Sequence, residues 1–435
     1  MKKTLLLVLG AMMGPGLTVA GMHAQAAGEV IPNRFIVQLK PGVPAAAAAK
    51  RHGVAADRVF GHAVNGYAGF IPPGLLAKVA SDPQVQAVIP DRVVTINAKP
   101  SKPGGGAAKQ VVPEGVTRIG AAPGSGLAYT GAGVGVAIVD TGIDLAHADL
   151  GSPVDAFSAF GGSAQDDHGH GTHVAGIVAA RNNMIDVVGV APGAQLYAVK
   201  VLDARGSGSD ADIIAGLNWI VENAALEVPP IKVANLSLGR PGTLDDDPAL
   251  RAAFQSVVAE GVTVVVAAGN DCSLEVFQNV PATYPEVIAV ASTTAKDGTS
   301  PYTTKIVKDT ASYFTTDGAF DSATGIGVTI SAPGEDQENI LRGGRISSVG
   351  ILSTKLGGGT TRMSGTSMAS PHVAGVAALL VEKAGPTLTS EQARSALMAG
   401  ASNPNAPLAS PTSCYTYDGD LEGVVYAPDA LSATP

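Results

Sequence analysis

From Gln110 onward, short and almost wholly apolar runs alternate with segments of helical pattern, and this alternation constrains the fold more than any other feature. The runs cover 134–139, 196–202, 233–238, 262–268 and 287–291, and the first ends in Asp140-Thr141-Gly142. Between them, 210–223 reads as a helix, with Asp212 and Glu222 set among Ile213, Leu217 and Ile220, and so does 249–259. Strands that are apolar on both sides must be covered on both sides. The pattern therefore predicts an α/β fold, a mostly parallel sheet with helices on both faces. In such sheets functional groups collect just past the carboxyl ends of the strands, where Asp140 and Asn270 fall.

The preceding chain divides differently. Met1-Lys2-Lys3, an apolar run to residue 19 and Ala24-Gln25-Ala26 have the layout of a secretory signal peptide over 1–26. Gly10, Gly14, Pro15 and Gly16 interrupt a run already short for a membrane span. Residues 29–97 combine a strand pattern from Arg34 to Lys40, an Ala-rich helix from Pro44 to His52 and two later apolar stretches. That is enough for a small α+β domain. A Gly- and Pro-rich stretch, 98–109, reads as an exposed linker open to processing, and 110–400 as the main domain with a 401–435 extension. A net charge of −9 with only 15% charged residues argues against nucleic acid as a partner. The expectation is a secreted, extracellular monomer with no membrane attachment.

Three Gly-bearing segments carry chemistry: 139–144 around Asp140, 170–176 around His170, and 365–372 around Ser367. A serine hydroxyl becomes a nucleophile only when an imidazole takes its proton, and a carboxylate holds that imidazole in the right tautomer. Each residue also has an ordinary reading. Asp140 could start a turn and Ser367 could cap a helix. His168, His170 and His173 could ligate a metal, although no Glu lies between them to complete a zinc-protease helix. The nucleophile segment lacks the second Gly of a hydrolase elbow, which counts against an esterase. Cys272 and Cys414 are an isolated pair, a plausible disulfide in an oxidising compartment; a catalytic thiol is the alternative, without a supporting motif.

Taken together and in the order Asp, His, Ser, the segments resemble the signatures of the subtilisin family of serine proteases. The resemblance runs from about Gln110 to about Met398. It implies an endopeptidase acting through an acyl-enzyme, with Asp140 orienting, His170 as general base and then acid, and Ser367 as nucleophile; His173 and His372 would be helix residues beside the site. Ala267-Ala268-Gly269-Asn270 matches the family's oxyanion segment, which gives Asn270 that role. Peptide substrates would pair as an added strand with Gly206-Ser207-Gly208 and Ser237-Leu238-Gly239. The latter and Ala267-Ala268-Gly269 would wall the first specificity pocket. Small walls imply broad cleavage after apolar or aromatic residues, with Arg240 and Asp271 at the rim.

The resemblance also implies a structural calcium site with side-chain ligands Gln110, Asp149 and Asn183 and carbonyls of Arg181, Ile185 and Val187, an oxygen set suited to that hard cation. It implies that 29–97 is an inhibitory propeptide, an intramolecular partner that assists folding and then lies in the cleft. Gln110 as a ligand would place the mature amino terminus near Lys109. The chain departs from compact members over 293–361, polar and Gly-rich and expected as loops, a second metal site or a rim for substrates, and after Ala401, where no counterpart is recognised.

Overall fold

The computed structural model describes residues 26–96, 98–100, 109–402 and 422–435. The main sheet has ten strands. In spatial order they are Lys99–Pro100, Thr360–Ser364, Ile346–Thr354, Ile330–Ile340, Ile288–Thr294, Thr263–Ala267, Ile231–Leu236, Gly135–Asp140, Gln195–Lys200 and Val154–Ser158. From Ile330–Ile340 to Val154–Ser158 every pairing is parallel, and the remaining edge is antiparallel. The central strands are buried throughout, so a one-residue slip in register would cost no polarity contrast; the helices packed on both faces hold them instead. One face packs against His170–Ala179 and Thr366–Ala384, the other against Asp210–Asn223 and Pro248–Ala259.

The expected helix 210–223 is present with those bounds, and its start has a local cause. Ser209 and Asp212 form a reciprocal capping box, which satisfies amino-terminal N–H groups that no helical carbonyl reaches. Asp247 caps the next helix by accepting from the N–H groups of Ala249 and Leu250.

Two expectations change. The 293–361 insertion is not all loop: Ile330–Ile340 and Ile346–Thr354 extend the sheet as an antiparallel pair, and Thr360–Ser364 adds to it. Pro333, Gly334 and three acids make this stretch read as loop, but sheet pairing satisfies its backbone. The start of the 98–109 linker is not free either, since Lys99–Pro100 pairs with Thr360–Ser364. At the other end, Val424 bridges Ser331 and Ser402, and Ala427–Ala433 buries Ala427, Ala430 and Leu431 against the main core. The extension is thus part of the main domain's packing. Among the described residues no helix is long and apolar enough to cross a membrane; most of the expected signal segment lies outside them.

Residues 29–96 form a separate small domain. Val30–Leu39 lies between Gly66–Phe70 and Val85–Ile96 in an antiparallel sheet, with Ala56–Phe60 at the edge and Ala45–His52 and Pro73–Ala80 packed on it. Its other face joins the main domain: Ile36, Phe60, Val64, Ile89 and Val94 belong to one apolar cluster with Ile213 and Phe254. Polar grips surround that cluster. Arg58 pairs with Asp212, Asp91 accepts from the N–H of Ala211 at 3.1 Å, and Asn218 Oδ1 accepts from the N–H groups of Gly61, His62 and Ala63. All three act on the helix Asp210–Asn223.

Candidate active site

Asp140 ends strand Gly135–Asp140, and His170 opens helix His170–Ala179. A carboxylate only accepts, so the His170 Nδ1–H donates to Asp140 Oδ1, at 2.7 Å, with both groups fully buried. In the neutral ring this fixes the tautomer in which Nε2 carries the lone pair. The sequence reading missed the group that orders the segment, Asp166. Its carboxylate accepts from Thr141 Oγ1, from the N–H groups of His168 and Gly169, and from the N–H and hydroxyl of Thr172. It therefore caps the helix that begins at His170 and ties it to the turn after Asp140. Gly142, at φ 101°, lies in that turn, where a side chain would strike the Ala164 carbonyl.

Ser367 is the second residue of helix Thr366–Ala384. Its hydroxyl donates to the Ser237 carbonyl at 3.1 Å, and Ser237 Oγ donates back to the Ser367 carbonyl at 2.8 Å. Asn235 joins the pair, donating to Ser237 Oγ and accepting from Ser370 Oγ. His170 Nε2 has no hydrogen-bond partner among the described residues, so the Ser367–His170 bond is not made in this state. Such bonds commonly tighten only when substrate is positioned. Asn270 Oδ1 accepts from the N–H of Thr366 at 2.9 Å and from its hydroxyl at 3.1 Å, which fixes the amide orientation and turns Nδ2 away from Thr366.

The two other histidines are buried in ordinary roles. His173 Nε2 lies 3.1 Å from the Ile351 carbonyl and His372 Nδ1 lies 2.8 Å from that of Met368. Burial holds His173 down at about 3 and His372 at about 4, so both stay neutral. No cluster of three or more His, Cys, Asp or Glu with metal-binding geometry occurs among the described residues.

The expected substrate segments are occupied by the chain itself. Strand Val85–Ile96 ends between them: Val93, Val94 and Thr95 pair antiparallel with Ser209, Gly208 and Ser207, while Ile96 and Thr95 pair with Leu238 and Gly239. The Ile96 N–H donates to the Gly206 carbonyl at 3.0 Å, and Val94 is buried beside Leu238 in the shared core. On the far side of Ser367, Lys99 pairs with Ser364. The chain thus crosses the cleft from one flank of Ser367 to the other. A pocket opens there, lined by Gly239, Gly269 and Asn270 together with Asn279 and Thr316. Ala267 and Ala268 are buried behind it. Arg240 and Asp271 line the same pocket; Arg240 is 1% exposed and paired with Asp210.

The six expected calcium ligands lie on one loop and the segments beside it. Gln110 Nε2 donates to the carbonyls of Arg181 and Val187, and Asn183 Oδ1 lies 3.5 Å from it. Asp149 Oδ2 accepts from the N–H of Val187, while Asp149 Oδ1 is buried without a partner. The orphaned, buried Asp149 carboxylate oxygen suits a cation, whereas the carbonyls of Arg181 and Val187 face the Gln110 N–H donor, and no contact of the Ile185 carbonyl distinguishes it within the set. Cys272 is not a free thiol, and Cys414 lies outside the described residues.

Known proteins share both parts of this layout. Residues 131–416 match the subtilase family model, and residues 34–97 match that of peptidase inhibitor I9. Subtilisin E of Bacillus subtilis (strain 168) is 34% identical over 394 residues, 88% of each chain. Subtilisin DY of Bacillus licheniformis is 38% identical over 297 residues, covering 68% of this chain and 93% of its own. M-protease of Shouchella clausii (strain KSM-K16) is 38% identical over 303 residues, 69% of this chain and 65% of its own. With a family model covering most of the chain and an inhibitor domain ahead of it, the chain belongs to the subtilase family of serine peptidases.

Proposed function

We propose that Ser367, His170 and Asp140 hydrolyse peptide bonds through an acyl-enzyme. Ser367 attacks the carbonyl as His170 Nε2 takes its proton; His170 then protonates the leaving amine, and Asp140 stabilises the imidazolium through Nδ1. Asn270 Nδ2 and the Ser367 N–H stabilise the oxyanion, each at the start of, or beside, a helix whose amino end favours negative charge. Substrates bind as a strand between 206–208 and 237–239, the position that residues 93–96 hold in the precursor. That occupancy is the observation that carries the proposal: a segment of the chain lies in the cleft as a peptide would.

The 29–97 domain is accordingly an intramolecular inhibitor, and the protein is exported and matures outside the cell. Calcium, held by Gln110, Asp149, Asn183 and the carbonyls of Arg181, Ile185 and Val187, would neutralise the buried Asp149 and stiffen its loop. Comparing Ser367→Ala and Asn270→Ala with the wild type on casein tests the chemistry. Ser367→Ala should neither cut casein nor process itself, and Asn270→Ala should lose about 100- to 1,000-fold in kcat with KM little changed. Wild-type turnover in Ser367→Ala refutes the mechanism.

A further inference from the structure

Three carboxylates meet where the inhibitory domain grips the main domain. Asp91 lies on strand Val85–Ile96 of the inhibitory domain, Asp210 opens helix Asp210–Asn223, and Asp247 caps helix Pro248–Ala259; each is at most 1% exposed. Two cations serve them directly. Arg240, buried with them, pairs with Asp210 at 2.8 Å. Arg34 Nε donates to Asp91 Oδ2 at 2.6 Å, but the same guanidinium also serves the exposed Asp57. Asp247 Oδ1 accepts from the N–H groups of Ala249 and Leu250, while its Oδ2 is buried without a donor. The Tyr284 hydroxyl, within the field of Asp247 and Asp210, is buried without a partner too.

The surrounding charges do not change this balance. Asp246, which pairs with Arg240, is offset by Arg92, which acts on Asp210, and Arg58 is taken by Asp212. Three buried carboxylates thus face two guanidinium groups. An unpaired buried charge is removed at least cost by taking up a proton, and the donorless Asp247 Oδ2 leaves room for one. Burial and the neighbouring Asp210 carboxylate push Asp91 up to about 6 and Asp247 up to about 7, consistent with that count.

This cluster is complete only while the two domains are together. Departure of the inhibitory domain carries Asp91 into water, where a carboxyl titrates near its ordinary value of about 3.9. It also removes from beside Asp247 one of the like charges that raise it. Resting on the reading of 29–97 as an intramolecular inhibitor, we propose that Asp91, Asp210 and Asp247 form a proton-dependent latch. It holds the cleaved domain in acid and lets it go toward neutral pH, with one proton released per domain. The bound form keeps a proton that the separated parts give up. The hold is therefore full below the ordinary carboxylate range and is lost as pH climbs through the raised values.

The test starts from the freshly self-processed complex, diluted over several decades at pH 5 to 8 and then assayed briefly at one fixed pH. The active fraction at each dilution gives the dissociation constant of the cleaved domain, free of the pH dependence of catalysis. That constant should rise about 10- to 50-fold from pH 5 to pH 7. Asp91→Asn and Asp247→Asn should each reduce the rise to within about 2-fold. Asp91 is absent from the matured enzyme, so its substitution alters only the hold; the amide NH2 facing Arg34 changes the level, and the slope is what decides. His62 lies 3.4 Å from Glu222 across the same boundary and also charges in acid, so His62→Gln is the control and should keep the rise. A flat wild-type profile, a rise that survives Asp91→Asn, or one abolished by His62→Gln overturns the latch. A second arm needs no activity: infrared spectra of full-length Ser367→Ala at pH 5.5 should show a protonated carboxyl band that Asp91→Asn removes. No such difference overturns the latch, whereas the difference without any self-processing in the wild type strikes the protease reading alone.

Discussion

Asn218 gives a way to loosen the inhibitory domain without touching the chemistry. Its Oδ1 lies 3.0, 2.7 and 3.1 Å from the N–H donors of Gly61, His62 and Ala63, all on the inhibitory domain. A carbonyl oxygen has two lone pairs, so the three contacts are worth about two full hydrogen bonds, each contributing about 0.5–1.5 kcal/mol net. Gly61 and His62 are exposed, so water replaces part of what Asn218→Ala removes, which favours the lower half of the range. A loss of about 1–2 kcal/mol corresponds to about 5- to 30-fold weaker retention of the cleaved domain. The assay starts from the full-length chain, follows the lag before peptide hydrolysis appears, and then titrates the released domain back. The variant should show a shorter lag and the weaker inhibition, with kcat/KM of the matured enzyme unchanged. Asn218→Asp, which keeps the acceptor, should stay close to wild type. Unchanged inhibition in Asn218→Ala, or a parallel fall in kcat/KM, would refute this account of the grip.

Acid should weaken the fold through His173 and His372. The unfolded chain protonates each near the ordinary value of about 6.5, while burial delays uptake in the folded chain to about 3 and about 4. Stability is therefore complete above about pH 6.5 and falls as pH drops toward 4, by about 1.4 kcal/mol per pH unit for each histidine. Denaturant midpoints of Ser367→Ala, chosen to avoid self-digestion, should show that slope, and a flat profile between pH 6.5 and 4.5 counts against it. Excess chelator should lower the melting midpoint and added calcium restore it, while Asp149→Asn should remove the response. A wild-type midpoint indifferent to both treatments sinks the calcium assignment.

The sheet and the Asp140–His170 pair were legible because each rests on local signals: apolar runs of strand length, and Gly-bearing segments just past them. The Asn270 segment was legible for the same reason. Asp166 was not, because a carboxylate four residues before a histidine looks like any acidic loop residue until its five donors are seen around it. Asn279 was hidden by distance, ten residues beyond the wall segment it backs. Strand 330–340 was hidden by charge. Glu335 is wholly buried, and burial beside Glu338 holds its carboxyl well above the ordinary range. A neutral carboxyl group packs in a sheet where an ionised one would not. The linker misled in the opposite direction: its Gly and Pro content hides the fact that Lys99–Pro100 continues a strand across the cleft.

That crossing has a consequence for how latency ends. While the chain is intact, residues 93–96 and 99–100 are tethered to the cleft, and their effective concentration there is a fixed property of the molecule, of the millimolar order typical of short links. Dilution cannot change it. Once the bond between the two anchored flanks is broken, the inhibitory domain is held only by its own contacts, and its hold depends on how much of it is present in solution. A crowded preparation then stays quiet and a dispersed one wakes, and each released inhibitor that is degraded makes the next release harder to reverse. The single cut converts a unimolecular lock into a bimolecular one, so the volume into which the protein spreads sets the timing of its activity.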